Sequence, residues 1–118
     1  MRRKITVLAA LVGASLTLAL PALAGSTVTG VAVTAGKPAE FKFTLSKTSV
    51  PKGIVTFTVT NKGKLEHDFK IAGKKTVRLR PGKKTTLTVT LRAAGRAAYL
   101  CTLPGHAAGG MKGTLTVK

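Results

Sequence analysis

The sequence predicts an all-β fold, a β-sandwich or barrel of seven or eight short strands after an N-terminal signal peptide. Three observations support this prediction. Apolar and polar residues alternate along most of the chain after residue 24, which is the pattern of strands with one buried face. Segments that contain glycine or proline separate the alternating stretches. Outside the first 24 residues, no stretch has the apolar periodicity of a three-turn helix.

The first 24 residues have the order of a secretory signal peptide. A basic start at residues 2–4 precedes an apolar run over residues 5–20, and residues 22–24 (Ala-Leu-Ala) form an A-x-A cleavage site. The run of 16 residues is shorter than the roughly 18 to 20 that a membrane anchor needs, so cleavage is favoured. We therefore expect a leader over residues 1–24, one domain over residues 25–118, and an exported protein in the periplasm or outside the cell.

The first half of this domain predicts three strands. Residues 27–34 alternate valines with small or polar residues, and Gly30 interrupts the alternation where a bulge is expected. Residues 40–45 alternate two phenylalanines and a leucine with polar residues. Residues 54–60 alternate apolar residues with threonines. The turn signals that follow or separate these strands lie at residues 36–38, 51–53 and 61–63.

The second half predicts four more strands, again from alternating residues. They cover residues 76–80, 85–91, 97–101 and 113–117. Pro81-Gly82 separates the first two and predicts a type II turn, because proline presets φ and glycine accepts a positive φ. Five aromatic side chains are expected in the core of the fold: Phe41, Phe43, Phe57, Phe69 and Tyr99.

The domain is strongly basic. Three of the chain's 20 Lys and Arg residues lie in the leader, which leaves 17 against 3 Asp and Glu, a net charge of +14. Such a charge favours anionic partners such as an acidic protein, a membrane surface or a cell-wall polymer. Nucleic acid is disfavoured by the predicted export and because the basic residues form no arm or tract. A solvated, soluble surface explains the charge equally well, so both interpretations stay open.

After the predicted leader, four side chains carry soft metal-binding atoms, and three of them lie within eleven residues: His67, Cys101, His106 and Met111. A single cysteine cannot form an internal disulfide, so a buried thiol, an intermolecular bridge, a reactive thiol and a metal ligand are the alternatives. Zinc prefers four strong ligands, often in C-x2-C pairs that this chain lacks. Two imidazoles, one thiolate and a weak thioether suit both Cu(II) and Cu(I), so the donor set favours copper.

The segment CTLPGHAAGGMKG, residues 101–113, resembles the ligand loop of the cupredoxins, the small blue copper proteins. Its C-x4-H-x4-M spacing is most similar to the rusticyanin and auracyanin types, and Pro-Gly-His at residues 104–106 is also similar to azurin. Residues 50–57 and 66–69 resemble the strand and first-histidine regions of such domains. The similarity covers roughly residues 50–117.

This resemblance implies a Greek-key β-sandwich with one copper ion near one end. It implies that His67, Cys101 and His106 are the strong ligands and Met111 the axial one, and that the protein carries single electrons between redox partner proteins. The edge of the second histidine would emerge in an apolar patch formed by Leu103, Pro104, Ala107 and Ala108.

Asp68 departs from the family pattern, because plastocyanin and azurin usually have asparagine after the first histidine. An ionised carboxylate accepts hydrogen bonds and cannot donate them. If Asp68 points toward the site, its charge would lower the reduction potential.

Three functions remain open at this point. The first is electron carriage by a monomeric blue copper protein, with redox partners that include acidic proteins. The second is a copper carrier or storage protein on the same fold, and the third is an adhesion or wall-binding domain that uses its charge. An enzyme is not expected, because four protein ligands leave no open position for a substrate. A cysteine nucleophile with His67 and Asp68 is disfavoured, because the copper interpretation also uses His106 and Met111.

Overall fold

The computed structural model describes residue 13 and residues 27–118, and the predicted leader and its cleavage site lie outside the described residues. Residues 27–118 contain nine β-strands and no helix long and apolar enough to cross a membrane. The strands are β1 (Thr29–Ala35), β2 (Phe43–Leu45), β3 (Ser49–Val50), β4 (Gly53–Asn61), β5 (Lys70–Ile71), β6 (Lys74–Lys75), β7 (Lys84–Leu91), β8 (Gly95–Leu100) and β9 (Lys112–Val117).

The nine strands form two mixed sheets. One sheet has the order β2-β1-β4-β7 and the other has the order β3-β9-β8-β5-β6. β1 runs parallel to β4, and β3 runs parallel to β9, whereas the other neighbours are antiparallel. Parallel neighbours cannot be joined by a tight hairpin. The chain therefore crosses from one sheet to the other between them, and the predicted Greek-key β-sandwich is confirmed.

The alternating residues build the core between the sheets. In β4, Val55, Phe57 and Val59 are fully buried, and the intervening threonines are only half-buried. The register places Phe57 opposite Val31 of β1, while Val55 pairs with Val89 of β7. These side chains share one core cluster with residues of the second sheet, so burial of the period-two apolar face holds the sandwich together.

The bulge at Gly30 and one predicted strand are wrong, and a second predicted strand is only partly right. Gly30 causes no bulge, because the pairing of β1 with β4 is unbroken from residue 29 to residue 35. Residues 76–80 form no strand. Only Leu79 makes an isolated bridge, and Val77 is 69% exposed. The predicted strand 40–45 is shortened to β2, because a hydrogen bond from the Lys42 N–H to the Ala39 carbonyl closes a turn.

Four of the five predicted core aromatics are in the core, and Phe41 is not. Phe69 lies at the centre, with its ring 5.3 Å from Phe43, 5.2 Å from Phe57 and 5.5 Å from Tyr99. Phe41 is 36% exposed, because it lies in the turn before β2 rather than on an inward-facing strand position. Period-two alternation alone did not distinguish an aromatic residue in a turn from one in the core.

The predicted turn at Pro81-Gly82 is present. Gly82 has a φ of +82°, and the Lys83 N–H donates to the Arg80 carbonyl at 3.0 Å. Both features match a type II turn with glycine at the third position.

Replacement of Phe57 by alanine tests the core assignment. We expect a loss of about 3 to 5 kcal/mol in the free energy of unfolding, because a fully buried ring is removed and leaves a cavity. Urea denaturation of the copper-free protein, followed by circular dichroism, measures this loss. Phe41→Ala is the matched control, and its loss should be less than half as large. Equal losses would contradict the placement of Phe41 outside the core.

Candidate metal centre

The loop between β8 and β9 carries three of the four predicted ligands. Cys101 directly follows β8, and Met111 directly precedes β9. The Cys101 N–H donates to the Met111 carbonyl at 3.1 Å, which closes the base of the loop. Because β8 and β9 are antiparallel neighbours, both residues reach the same end of the sandwich.

Short-range hydrogen bonds fold this loop tightly. The His106 N–H donates to the Leu103 carbonyl at 3.1 Å, and the Met111 N–H donates to the His106 carbonyl at 3.0 Å. Gly105 and Gly110 have φ values of +81° and +111°, which other residues adopt only with strain. The small residues let the loop fold back so that Met111 lies next to Cys101, as predicted.

His67 reaches the loop from the connection between β4 and β5. Its N–H and carbonyl both pair with Leu79, at 3.1 Å and 2.8 Å, so its backbone is fixed on one side. Three residues further on, β5 pairs with β8 through Lys70 and Leu100. This pairing brings His67 beside Cys101 although 34 positions separate them in the sequence. The imidazole is fully buried.

The three strongest donors converge on one point. His67, Cys101 and His106 each place a ligand atom within 4.8 Å of the others. The two Nδ1 atoms are 3.1 Å apart, and the Cys101 Sγ is 3.5 Å from the His106 Nδ1. Atoms at these separations can share one ion bound at about 2.0 Å to nitrogen and about 2.3 Å to sulfur. Two imidazoles and a thiol are also the chemical types that a copper site needs.

Met111 is fully buried beside this group. It forms a small apolar cluster with Cys101 and Ala35, against which Phe43 and Leu103 pack. A thioether in an apolar, fully enclosed position is a soft donor with no competing water. Met111 therefore has the surroundings of a weak ligand.

Burial keeps the Cys101 thiol and the His106 imidazole neutral in the absence of a cation. It raises the pKa of the Cys101 thiol and, together with the nearby His67, lowers the pKa of His106. His106 therefore presents a free ring nitrogen at neutral pH. The thiol loses its proton when a cation binds, as a metal-bound cysteine does in general.

Glu40 is a site residue that the sequence analysis missed. Its Oε1 lies 2.8 Å from the His67 Nε2, and the carboxylate also accepts the N–H groups of Lys64 and Leu65. The Lys64 N–H is the main cause that lowers the pKa of Glu40, so this side chain is ionised at neutral pH. It lies 27 positions before His67, in a segment predicted as a strand. The only feature of the sequence that could have drawn attention to Glu40 is that it is one of three acidic residues among 17 basic ones.

Asp68 points toward the cysteine side of the site. It is buried, and its Oδ1 accepts the N–H of Thr102 at 2.6 Å. Its Oδ2 accepts the hydroxyl of Thr102. The predicted role as a hydrogen-bond acceptor is confirmed, and the negative charge lies next to the residue that follows Cys101.

His106 is the one strong donor that is not fully buried, and it lies among apolar residues of its loop. Pro104 and Ala108 are exposed, and Leu103 and Ala107 are half-buried. The ring of Phe41 meets the His106 ring edge-on, with centroids 5.0 Å apart. Phe41 was assigned to the core from the sequence, and its contact with the site is a finding of the structure.

A family model for copper binding proteins of the plastocyanin/azurin family matches residues 29–118. The chain belongs to this family. The structure of reduced auracyanin from Roseiflexus castenholzii is similar, with 26% identity and a TM-score of 0.64 over 79% of this chain and 98% of auracyanin. Rusticyanin from Thiobacillus ferrooxidans is also similar, with 28% identity and a TM-score of 0.65 over 77% of each chain.

A relative described as a copper-resistant cuproprotein, CopI of Vibrio cholerae, is 28% identical over 95 residues. The matched region covers 61% of this chain and 56% of CopI, so the chain spans about half of that relative's length. Family membership and the convergent donors together establish that this cupredoxin is a copper protein.

Replacement of Asp68 by asparagine tests the electrostatic effect of this carboxylate. The change removes a negative charge and keeps an oxygen that can accept the Thr102 N–H. We expect the midpoint potential of the copper-loaded protein to rise by about 59 mV, a tenfold shift toward Cu(I), because a nearby negative charge favours the more positive oxidation state. Cyclic voltammetry measures the shift.

Thr102→Val is the control for this prediction, because it removes one hydrogen bond to Asp68 and leaves the charge. Its potential should change less than that of Asp68→Asn. An unchanged or lower potential in Asp68→Asn would show that the charge does not act on the metal.

Proposed function

We propose that this cupredoxin is an exported electron carrier that transfers one electron at a time between redox proteins. His67, Cys101 and His106 would hold the copper in a type 1 site, with Met111 as a weak fourth ligand. The observation that carries this proposal is the convergence of three donor atoms within 4.8 Å. When bound to such a set, copper supplies the Cu(II)/Cu(I) couple.

Pre-organisation of the donors supports electron carriage over other uses. The bridge between His67 and Leu79 fixes one donor, and the bond from Cys101 to Met111 fixes the loop that carries the others. Donors held by the protein itself need little movement when the oxidation state changes. Fast electron exchange requires this property, whereas metal release does not.

The surroundings of His106 support its ring edge as the route by which electrons enter and leave. Its ring is half-buried among small apolar loop residues, while the other two strong donors are fully enclosed. A partner that covers the edge of His106 can approach the metal closely, because no long polar side chain of the loop intervenes. The apolar surface also favours transient association.

The charge of the domain supports an acidic partner protein. A cation lies at the ligand loop itself, since a Cβ added to Gly110 would be 2.8 Å from the Nζ of Lys42. Positive charge beside the exit route would steer an acidic redox protein toward His106. We propose that the protein acts as a monomer in the periplasm or outside the cell, where contact with anionic membrane or wall surfaces is also favoured.

We propose no catalytic activity. Four protein donors around one ion leave no position for a substrate, which metal-ion catalysis requires. The buried position of three of them also prevents direct access from solvent.

A second candidate function is copper handling in resistance. The similarity to CopI, described as a copper-resistant cuproprotein, favours it. In this role the site would bind copper and give it up to another protein, and electron exchange would be incidental.

The thiolate assignment is tested by replacing Cys101 with serine. We expect the purified, copper-loaded protein to show an intense visible absorption band that ascorbate bleaches and an oxidant restores. Cys101→Ser should lose this band completely, because it arises from the bond between sulfur and copper. Met111→Leu is the matched control and should keep the band, since the thiolate remains. A full band in Cys101→Ser would contradict the ligand set.

Copper retention separates the two candidate functions. We expect the electron carrier to keep its copper through repeated cycles of reduction and oxidation in the presence of an apo-cupredoxin acceptor, because its donors are pre-organised. Atomic absorption after separation of the two proteins measures the retained copper. Transfer of most of the copper to the acceptor after reduction would contradict electron carriage and favour copper handling.

A further inference from the structure

The carboxylate of Glu40 contacts three groups at the turn that precedes His67. Its Oε1 is 2.8 Å from the His67 Nε2 and accepts the Leu65 N–H at 2.8 Å. Its Oε2 accepts the Lys64 N–H at 2.9 Å. The Glu40 side chain is 26% exposed, whereas the imidazole that it contacts is fully buried. An anionic group thus reaches a buried ring from the protein surface.

Two glycines, Gly63 and Gly36, leave the space that this contact needs. A Cβ on Gly63 would lie 2.6 Å from the Glu40 Oε1 and 2.9 Å from the His67 Nε2, so a larger residue would push the carboxylate away. Gly36 approaches the same turn, because a Cβ there would lie 2.4 Å from the Gly63 Cα. The loop after β1 therefore lies directly against the turn that precedes His67.

The contact decides which ring nitrogen of His67 is free. A carboxylate can only accept a hydrogen bond, so the Nε2 of His67 carries the proton. The Nδ1 then keeps its lone pair, and this is the atom that lies 3.1 Å from the His106 Nδ1 in the donor cluster. A carboxylate acceptor also increases the electron density on the imidazole that it orients.

We propose that Glu40 is a positioning residue of the metal centre, which holds His67 with Nδ1 toward the copper and favours Cu(II) over Cu(I). This proposal rests on the ligand set given under the proposed function. The carboxylate orients the imidazole through its hydrogen bond to Nε2. Its negative charge, one ring away from the metal, stabilises the more positive oxidation state.

A purely structural role for Glu40 makes a different prediction. In that case the carboxylate would serve only the N–H groups of Lys64 and Leu65, and its loss would lower stability without changing the site. Glu40→Gln separates the two roles, because the amide oxygen can still accept a hydrogen bond while the charge is lost.

The experiment compares three variants of the full chain in their copper-loaded forms. Glu40→Ala removes both charge and hydrogen bonds, and Glu40→Gln removes mainly the charge. Glu66→Gln is the matched control. It makes the same change of charge one residue before His67, where the carboxylate is 44% exposed and 3.9 Å from Arg80. The midpoint potential of each protein gives the ratio of its Cu(II) and Cu(I) affinities.

We expect Glu40→Ala to shift this ratio about tenfold toward Cu(I), which raises the potential by about 59 mV. Glu40→Gln should shift it in the same direction by a smaller factor. Glu66→Gln should stay within about a factor of two of the wild type, because an exposed charge is screened by solvent. Potentials of both Glu40 variants that match the wild type would overturn the proposal.

A copper-free measurement makes the proposal independent of the proposed function. Long-range ¹⁵N–¹H NMR of the apo-protein reports which His67 nitrogen is protonated, and we expect Nε2–H in the wild type and a mixture of tautomers in Glu40→Ala. A single Nε2–H tautomer in both proteins would overturn the positioning role. If the wild type bound no copper in a blue site, the proposed function would fail, and the tautomer would still decide whether Glu40 orients His67.

Gly63→Ala provides a second test if the Glu40 variants do not fold. The added methyl group would lie 2.6 Å from the Glu40 Oε1, so it moves the carboxylate without removing its negative charge from the protein. We expect the tautomer mixture to appear in this variant as well. A wild-type tautomer in Gly63→Ala would count against the proposal.

Discussion

The antiparallel pairing of β8 with β9 is the constraint on which the metal centre depends. Six consecutive residue pairs fix its register, and the hydrogen bond from Cys101 to Met111 extends the pairing into the loop. A shift of one residue would turn every side chain of a strand to the opposite face. The register that buries Leu115 and Val117 in the core therefore also fixes the position of the thiol. Stability of the sandwich and geometry of the site arise from the same interaction.

Asn61 connects that core to the first histidine. It is fully buried at the end of β4, and its amide group donates to the carbonyls of Leu65 and Leu79, both at 2.8 Å. Its oxygen accepts the N–H of Gly63 at 2.9 Å. One polar side chain thus holds the turn that Glu40 contacts and the residue that pairs with His67. Both N–H donors and the oxygen of this amide have hydrogen-bond partners, so the buried side chain adds rigidity and does not destabilise the fold.

The sequence predicted the features that depend on local pattern and missed those that depend on long-range contact. The alternation over residues 54–60 and the small residues of the ligand loop led to the correct strands and loop. The same alternation over residues 40–45 was misleading, because Phe41 packs on His106 and not in the core. Glu40 was missed for a related reason. Its partner, His67, lies 27 residues away, and no local sequence pattern predicts a contact between residues so far apart in the chain.

Charged residues act on the metal centre at two distances, and salt affects the two differently. The 17 basic residues of the domain are mostly exposed, and salt screens exposed charges over about 8 to 10 Å. Glu40 and Asp68, two of the three acidic residues, contact His67 and the residue after Cys101, where water screens less. The local carboxylates and the distant cations favour opposite oxidation states. Because the distant charges are screened more strongly, high salt should weaken the proposed steering of an acidic partner and largely preserve the proposed preference for Cu(II).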